Sequence, residues 1–193
     1  MPKATRNDKY KVVEILTKSF LLNPGVNWLI KQDKHRQKRI KAVVDFAFEK
    51  GIRNDGVYLS SDDTGAAICY EQASEYNSVF LQMKLVLKAF DLKRIPTISY
   101  RESYRKQIRS QHGNFLNLWF YGVKKADRGN GAAAELKNEL FEISKNKQLP
   151  LLLETTELKN KNVYERYGFQ VYHFWEVPDK EIKFWFMKRA YVQ

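Results

Sequence analysis

One stretch of the chain limits its fold more than any other. Residues 115–123, Phe-Leu-Asn-Leu-Trp-Phe-Tyr-Gly-Val, are rich in aromatic and branched side chains. They are too continuously apolar for an element with one wet face, so they read as a central strand. A glycine turn follows, Arg128-Gly-Asn-Gly-Ala-Ala133, and then Ala133, Leu136, Leu140 and Ile143 recur at helical spacing. Residues 151–155, Leu-Leu-Leu-Glu-Thr, read as a second buried strand, which completes a strand, helix, strand unit.

The rest of the chain has to pack around that unit. Thr5-x-x-Asp8 has capping-box spacing and precedes Val12, Val13, Leu16 and Phe20, which predicts a first helix ending before Asn23-Pro24-Gly25. A second helix is expected over 34–49, with Gly51 placed to stop it. Residues 56–61 and 66–70, joined by Asp62-Asp63-Thr64-Gly65, read as a β-hairpin. Phe80, Met83, Leu87 and Phe90 predict a helix closed by Pro96, and 100–110 a more polar, basic one. The tail gives a short helix over 163–167, a strand over 170–177, a turn at Pro178-Asp179 and a last strand over 182–187. The fold class is therefore α/β (α+β), a mixed central sheet flanked by helices. With 193 residues, 44% of them hydrophobic, one domain spanning 1–193 is expected.

Several function classes lose support at this level. Cys69 is the only cysteine, and His35, His112 and His173 show no ligand spacing, so no metal site is expected. The start Met-Pro-Lys-Ala lacks an apolar signal core, and no run approaches the ~20 apolar residues of a membrane helix, so the expectation is a cytoplasmic protein with no membrane partner. The formal charge is +12, which favours an anionic ligand, an acidic partner or nucleic acid. The densest basic run is Lys34, Arg36, Lys38, Arg39 and Lys41. It shares its segment with Ile40, Val43, Val44, Phe46 and Phe48, and so reads as the wet face of a helix.

Glycines between a buried strand and an amphipathic helix let backbone N–H groups approach a ligand at the helix N-terminus, where a phosphate or pyrophosphate is the natural guest. Gly129-x-Gly131 is too short for the dinucleotide fingerprint, and no Lys-Ser or Lys-Thr pair follows as in a nucleotide-binding loop. An ordinary tight connection is the alternative.

Other residues tip the balance. Arg128, Gly131 and Ala133 resemble the pyrophosphate loop of the GNAT N-acetyltransferase superfamily. Val123 stands where that family ends the preceding strand, and Asn160 with Tyr164-Glu-Arg-Tyr-Gly-Phe169 resembles its later signature. Lys124-Lys-Ala-Asp127 before the loop is more basic than in relatives.

The resemblance implies a GNAT-like fold over the whole chain and an acyltransferase that moves acetyl from the cosubstrate acetyl-CoA to a primary amine of a small molecule or peptide. It implies cofactor contacts at Val123, Arg128, Gly129, Asn130, Gly131, Ala132, Ala133 and Asn160. The backbone N–H of Val123 would be the oxyanion donor, and Tyr164 the acid that protonates the leaving thiolate.

An amine of pKa ~10.4 lies about 3.4 units, or about 4.6 kcal/mol, from neutral at pH 7. Glu154 is the candidate base, with Glu71 and His112 as alternatives. Trp28, Tyr58, Tyr70 and Tyr76 lie in segments that could line an acceptor pocket. A non-catalytic acetyl-CoA sensor and a nucleic-acid binder are the competing classes, and a single chain and a homodimer are both compatible. Trp119, Phe120 and Tyr121 sit on the apolar strand, which makes them core rather than a stacking platform, so no specific nucleic acid is expected.

Overall fold

The structure, a computed structural model, describes residues 3–73, 78–90, 92–127, 129–178 and 181–191. The chain opens with the expected capping box: the Thr5 N–H donates to Asp8 Oδ2 at 2.8 Å, and one 3-10 turn leads into α1, Lys9–Phe20. Asn23-Pro24-Gly25 ends that helix and also starts another, α2, Pro24–Leu29. Asn23 Oδ1 accepts from the Val26 N–H at 3.0 Å, and Pro24 fills a first-turn position that needs no donor.

Helix α3 is Arg36–Arg53 and runs through Gly51 instead of stopping at it. A Cβ at Gly51 would lie 2.7 Å from a Val57 methyl and 2.8 Å from an Ile68 methyl, so the glycine is there to let helix and sheet meet. The basic run on α3 is partly engaged locally. Arg39 pairs with Asp33 at 2.8 Å, Lys41 with Asp45 at 2.8 Å, and Arg36 donates to Asn27.

Strands β1, Val57–Leu59, and β2, Gly65–Glu71, form the expected hairpin. Helix α4, Val79–Ala89, ends well before Pro96, which sits in the first turn of α5, Ile95–Arg109. Of the stripe expected to bury α4, Met83 is 60% and Leu87 76% exposed, whereas Phe90 meets the core together with Leu85 and Ala89. The Phe80 side chain, Tyr76 and Asp179 lie outside the described set.

The strand, helix, strand unit is present as β3, Leu116–Val123, α6, Ala132–Lys147, and β4, Leu151–Thr155. Helix α7, Leu158–Arg166, β5, Gln170–Glu176, and β6, Lys183–Arg189, complete the chain. Among the described residues the sheet has six strands in the order β1-β2-β3-β4-β6-β5, with β3 and β4 parallel and the other neighbours antiparallel. No helix among them is long and apolar enough to cross a membrane.

Side chains alternate across each strand, so the sheet has two covered faces. Ala66, Ile68 and Tyr70 pack with α1 and α3 around the wholly buried Ile15, Leu16, Val44 and Phe48. Leu116, Leu118, Leu151 and Leu153 pack on the other side with Leu136 and Leu140 of α6. Each such side chain, buried in full, contributes about 1.5 to 3 kcal/mol. A third cluster, Trp175, Phe184 and Phe186, packs with Trp28, Tyr104 and Ile108, so it lies beneath α5.

Candidate acyl-transfer site

Parallel strands normally pair along their length, but β3 and β4 pair only at Leu116 with Leu151 and Asn117 with Leu152. The cause lies on the other edge of β3. Ile68 opposes Phe120 and Cys69 opposes Leu118, so Trp119 is the extra residue of a bulge. A bulge bends its strand, and beyond it β3 and β4 part into a V. The end of β3 is held in place by the Ser19 hydroxyl, which donates to the Val123 carbonyl at 3.1 Å, and by the Lys124 N–H, which donates to the Thr64 carbonyl at 2.9 Å. Backbone along one edge of the V is thus available to an extended guest that carries amides of its own.

The expected turn lies past the end of β3. Residues Lys125–Asp127 make one 3-10 turn, Asn130 N–H donates to the Asp127 carbonyl, and α6 begins at Ala132. Gly129 and Gly131 have φ of +100° and +93°, and a Cβ on either would meet nothing within 4 Å. Their requirement for glycine is therefore conformational.

Gly131 caps α6 without a side-chain hydrogen bond, which leaves the first-turn amides, Ala132 and Ala133 among them, to a ligand or water. Glu135, the one acid in that turn, is drawn aside: its carboxylate accepts from the Ser61 N–H and hydroxyl, both at 3.0 Å. Arg128 lies outside the described residues.

Helix α7 brings Tyr164 against the same side of the sheet. Leu118, Tyr121, Leu140, Leu151, Tyr164 and Phe169 line one narrow crevice, with the Tyr164 and Phe169 rings edge to face at 5.5 Å. Burial pushes the Tyr164 phenol well above its ordinary value, so at neutral pH it is a proton donor only. The Tyr121 hydroxyl donates to the Ala133 carbonyl and ties β3 to the start of α6. Asn160, half-buried in the first turns of α7, donates its N–H to the Glu157 carbonyl.

Glu154, the candidate base, is held as an anion among three arginines. Its side chain, 7% exposed, accepts from Arg105 Nε at 2.7 Å, meets Arg109 Nη2 at 2.8 Å and lies 3.6 Å from Arg101 Nη2. Desolvation pushes its pKa up, but Arg105, Arg109 and Arg101 together outweigh it and hold the value at about 2. A carboxylate of that affinity takes a proton from an amine poorly at pH 7.

Glu71 is engaged as well, by Lys147 and Asn114, each at 2.7 Å, and its pKa is lowered. His112 packs edge-on to Tyr172 at 4.2 Å, and burial with the nearby Lys188 lowers its pKa, which keeps it neutral at pH 7. Of the aromatic residues expected near an acceptor, Tyr58 and Tyr70 are buried, whereas Trp28 stands over Phe184 and Trp175 at 6.0 and 6.1 Å.

Sequence reasoning missed the α5 arginines, reading their helix only as basic. The signal was present: Arg101, Arg105 and Arg109 are spaced four apart, which puts them on one helical face, and Glu154 is a lone carboxylate in an apolar strand.

No family model matches the chain. Solved structures do. A protein described as histone acetyltransferase HPA2 and related acetyltransferase from Corynebacterium glutamicum superposes with a TM-score of 0.69 at 18% identity, over 100% of this chain and 96% of that one. The C-terminal condensation domain of Ebony, in complex with beta-alanyl-dopamine, gives 0.74 at 13% identity, over 98% and 97%. Arylalkylamine N-acetyltransferase 2 from Aedes aegypti gives 0.65 at 15% identity, over 99% and 98%. The chain has the GNAT fold throughout its length.

Proposed function

We propose that the chain is an acetyl-CoA-dependent N-acetyltransferase that moves an acetyl group directly to an amine. The observation that carries this reading is the parallel pair β3/β4, which opens after two residues beside a glycine turn and an uncapped α6 N-terminus. The acetyltransferases among the structural neighbours support it as analogues in fold, and the arylalkylamine enzyme supports a small-molecule acceptor.

The residues present suit the cosubstrate. Arg128, Gly129, Asn130, Gly131, Ala132 and Ala133 would hold the pyrophosphate, by backbone N–H groups and the helix dipole. The edge of β3 and Asn160 would bond the amides of the pantetheine arm. Acetyl-CoA brings an acetyl thioester, whose carbonyl needs an N–H donor and whose sulfur departs as a thiolate. The Val123 N–H serves the first need in our reading. Tyr164 serves the second in our reading: burial keeps its phenol protonated, so its O–H is available to the sulfur as negative charge develops there. For the amine proton we set Glu154 aside; His112, neutral at pH 7, lies in the turn before β3 at the closed end of the V, away from Val123, and is set aside with it.

The test is a thiol-release assay with acetyl-CoA across a panel of amines, alongside thermal melts. At one hundred times its dissociation constant a ligand bound only by the native state adds about 2.7 kcal/mol of stability. The expected result is amine-dependent thiol release and a higher Tm. A Tm indifferent to millimolar acetyl-CoA, with no thiol released for any amine, contradicts the reading.

A further inference from the structure

The V has two sides, and the proposed donor residues occupy only one. Tyr164, Tyr121 and α6 cover the face that carries Leu116 and Leu118. Asn117, between those leucines, points to the opposite face. There its Nδ2 donates to the Tyr70 hydroxyl at 3.3 Å, and its Oδ1 accepts from Arg109 Nη1 at 3.0 Å. Arg109 also holds Glu154, so one guanidinium spans β3 and β4 at the crotch of the V. An amine that meets a thioester in the opening has to come from this side, past α5.

The groups waiting there are out of balance. Three guanidiniums, of Arg101, Arg105 and Arg109, are 10–12% exposed and face two carboxylates, Glu154 and Glu102. Arg105 is spent on both acids, through Nε to Glu154 and Nη1 to Glu102, each at 2.7 Å. Arg101 pairs with Glu102 at 2.8 Å and reaches Glu154 at only 3.6 Å, and its Nε, like that of Arg109, is buried without a hydrogen-bond partner. Buried cations are ordinarily paired, and a buried donor left unmade is costly. The Arg101 guanidinium lies 5.3 Å over the Phe184 ring, beside which Trp28 and Trp175 stand. The surplus charge therefore adjoins an aromatic wall.

We propose that the acceptor is a small aromatic amine that also carries a carboxylate, with Arg101 and Arg109 taking the carboxylate on the α5 side of the opening. This rests on the acetyltransferase reading for its chemistry, but not for its binding. A third anion brings the cluster to balance, and the two unmade Nε–H groups, buried as the chain stands, reach it once the Arg101 and Arg109 side chains turn toward the opening, where guanidinium offers its fork geometry. Arg105 and Glu154 remain the fixed pair that orients the others.

The experiment is calorimetric titration of the whole chain with phenylalanine and with 2-phenylethylamine, which differ only by the carboxylate, in native protein and in Arg101→Met. That variant leaves two guanidiniums for two carboxylates, so it should fold, as melting and circular dichroism will report; Arg101→Lys is the charge-retaining control. Phenylalanine is expected to bind the native chain at least about tenfold tighter than its twin. The preference should vanish in Arg101→Met and return in part in Arg101→Lys. Equal affinities, tighter binding of 2-phenylethylamine, no binding of phenylalanine, or a preference untouched by Arg101→Met would overturn the proposal. An acetyl-CoA titration in the same instrument separates the two readings. Donor binding without carboxylate preference sinks this inference alone, whereas carboxylate preference without donor binding sinks the transferase and leaves the anion site standing.

Discussion

Replacing Glu154 by Gln is expected to destabilise the fold by about 3 to 5 kcal/mol, because removing one partner of a buried ion cluster strands the others. Three guanidiniums would then share the single carboxylate of Glu102, which is half exposed, while Arg105 and Arg109 lose contacts of 2.7 and 2.8 Å. For a chain of this length the Tm should fall by about 10 °C.

The pH dependence carries the same signature. The folded pKa of about 2 lies below the ordinary 4.5, so this contribution is complete above pH 4.5, falls as pH drops and is gone near pH 2. Urea unfolding of the native chain should weaken across that window more than unfolding of the Gln variant does. If Glu154→Gln kept full stability at pH 7 and lost only turnover, the carboxylate would be a base after all and its salt bridges incidental.

The second large effect is at Tyr164. Tyr164→Phe keeps the ring against Phe169 and Leu118, so stability should change little. In the proposed reading it removes the O–H that donates to the departing thiolate. General acid catalysis is worth about 10² to 10⁴ in rate, about 3 to 5 kcal/mol, and the chemical step should slow by that order while acetyl-CoA affinity holds. Single-turnover measurement is the right probe, since product release can mask a slower chemical step in kcat. A Phe variant that transfers acetyl at the native single-turnover rate would make Tyr164 a packing residue and leave the proton to water. It would also remove the clearest distinction between a catalyst and an acetyl-CoA sensor.

The parts of this molecule legible in its sequence are those specified locally. The Thr5 and Asp8 capping box, the hairpin around Asp62 and Asp63, and the strand, turn, helix, strand run from 115 to 155 each carry their own signal in neighbouring residues. What was misread depends on partners distant in the chain. Gly51 looked like a helix stop because its actual reason, the Val57 and Ile68 methyls, becomes visible only once helix and sheet meet. Met83 and Leu87 share a helical face, but periodicity states which residues lie on one side, not which side turns inward. The V could not be read at all, since the bulge at Trp119 is a mismatch between two strands.

Glu154 marks the same divide inside the site. A carboxylate on a buried strand is compatible with a base or with a structural anion, and only its neighbours decide. Those neighbours are arginines on α5, brought over β4 by the packing of Tyr104 and Ile108 on Trp175, Phe184 and Phe186. Tyr164 was nameable in advance because its surrounding residues carry a resemblance; no such local pattern marks the α5 face.

The central claim is that acetyl-CoA lies across the V with its pyrophosphate on the turn at Gly129 and Gly131. Calorimetric titration of acetyl-CoA into the native chain and into Gly131→Asp tests it most directly. The substitution puts a side chain on a backbone with φ of +93° and a negative charge at the α6 N-terminus, in space that is open to solvent. Saturable one-site binding by the native chain, lost in the variant while far-ultraviolet circular dichroism is unchanged, is the predicted result. No binding by the native chain, or undiminished affinity in Gly131→Asp, would contradict it.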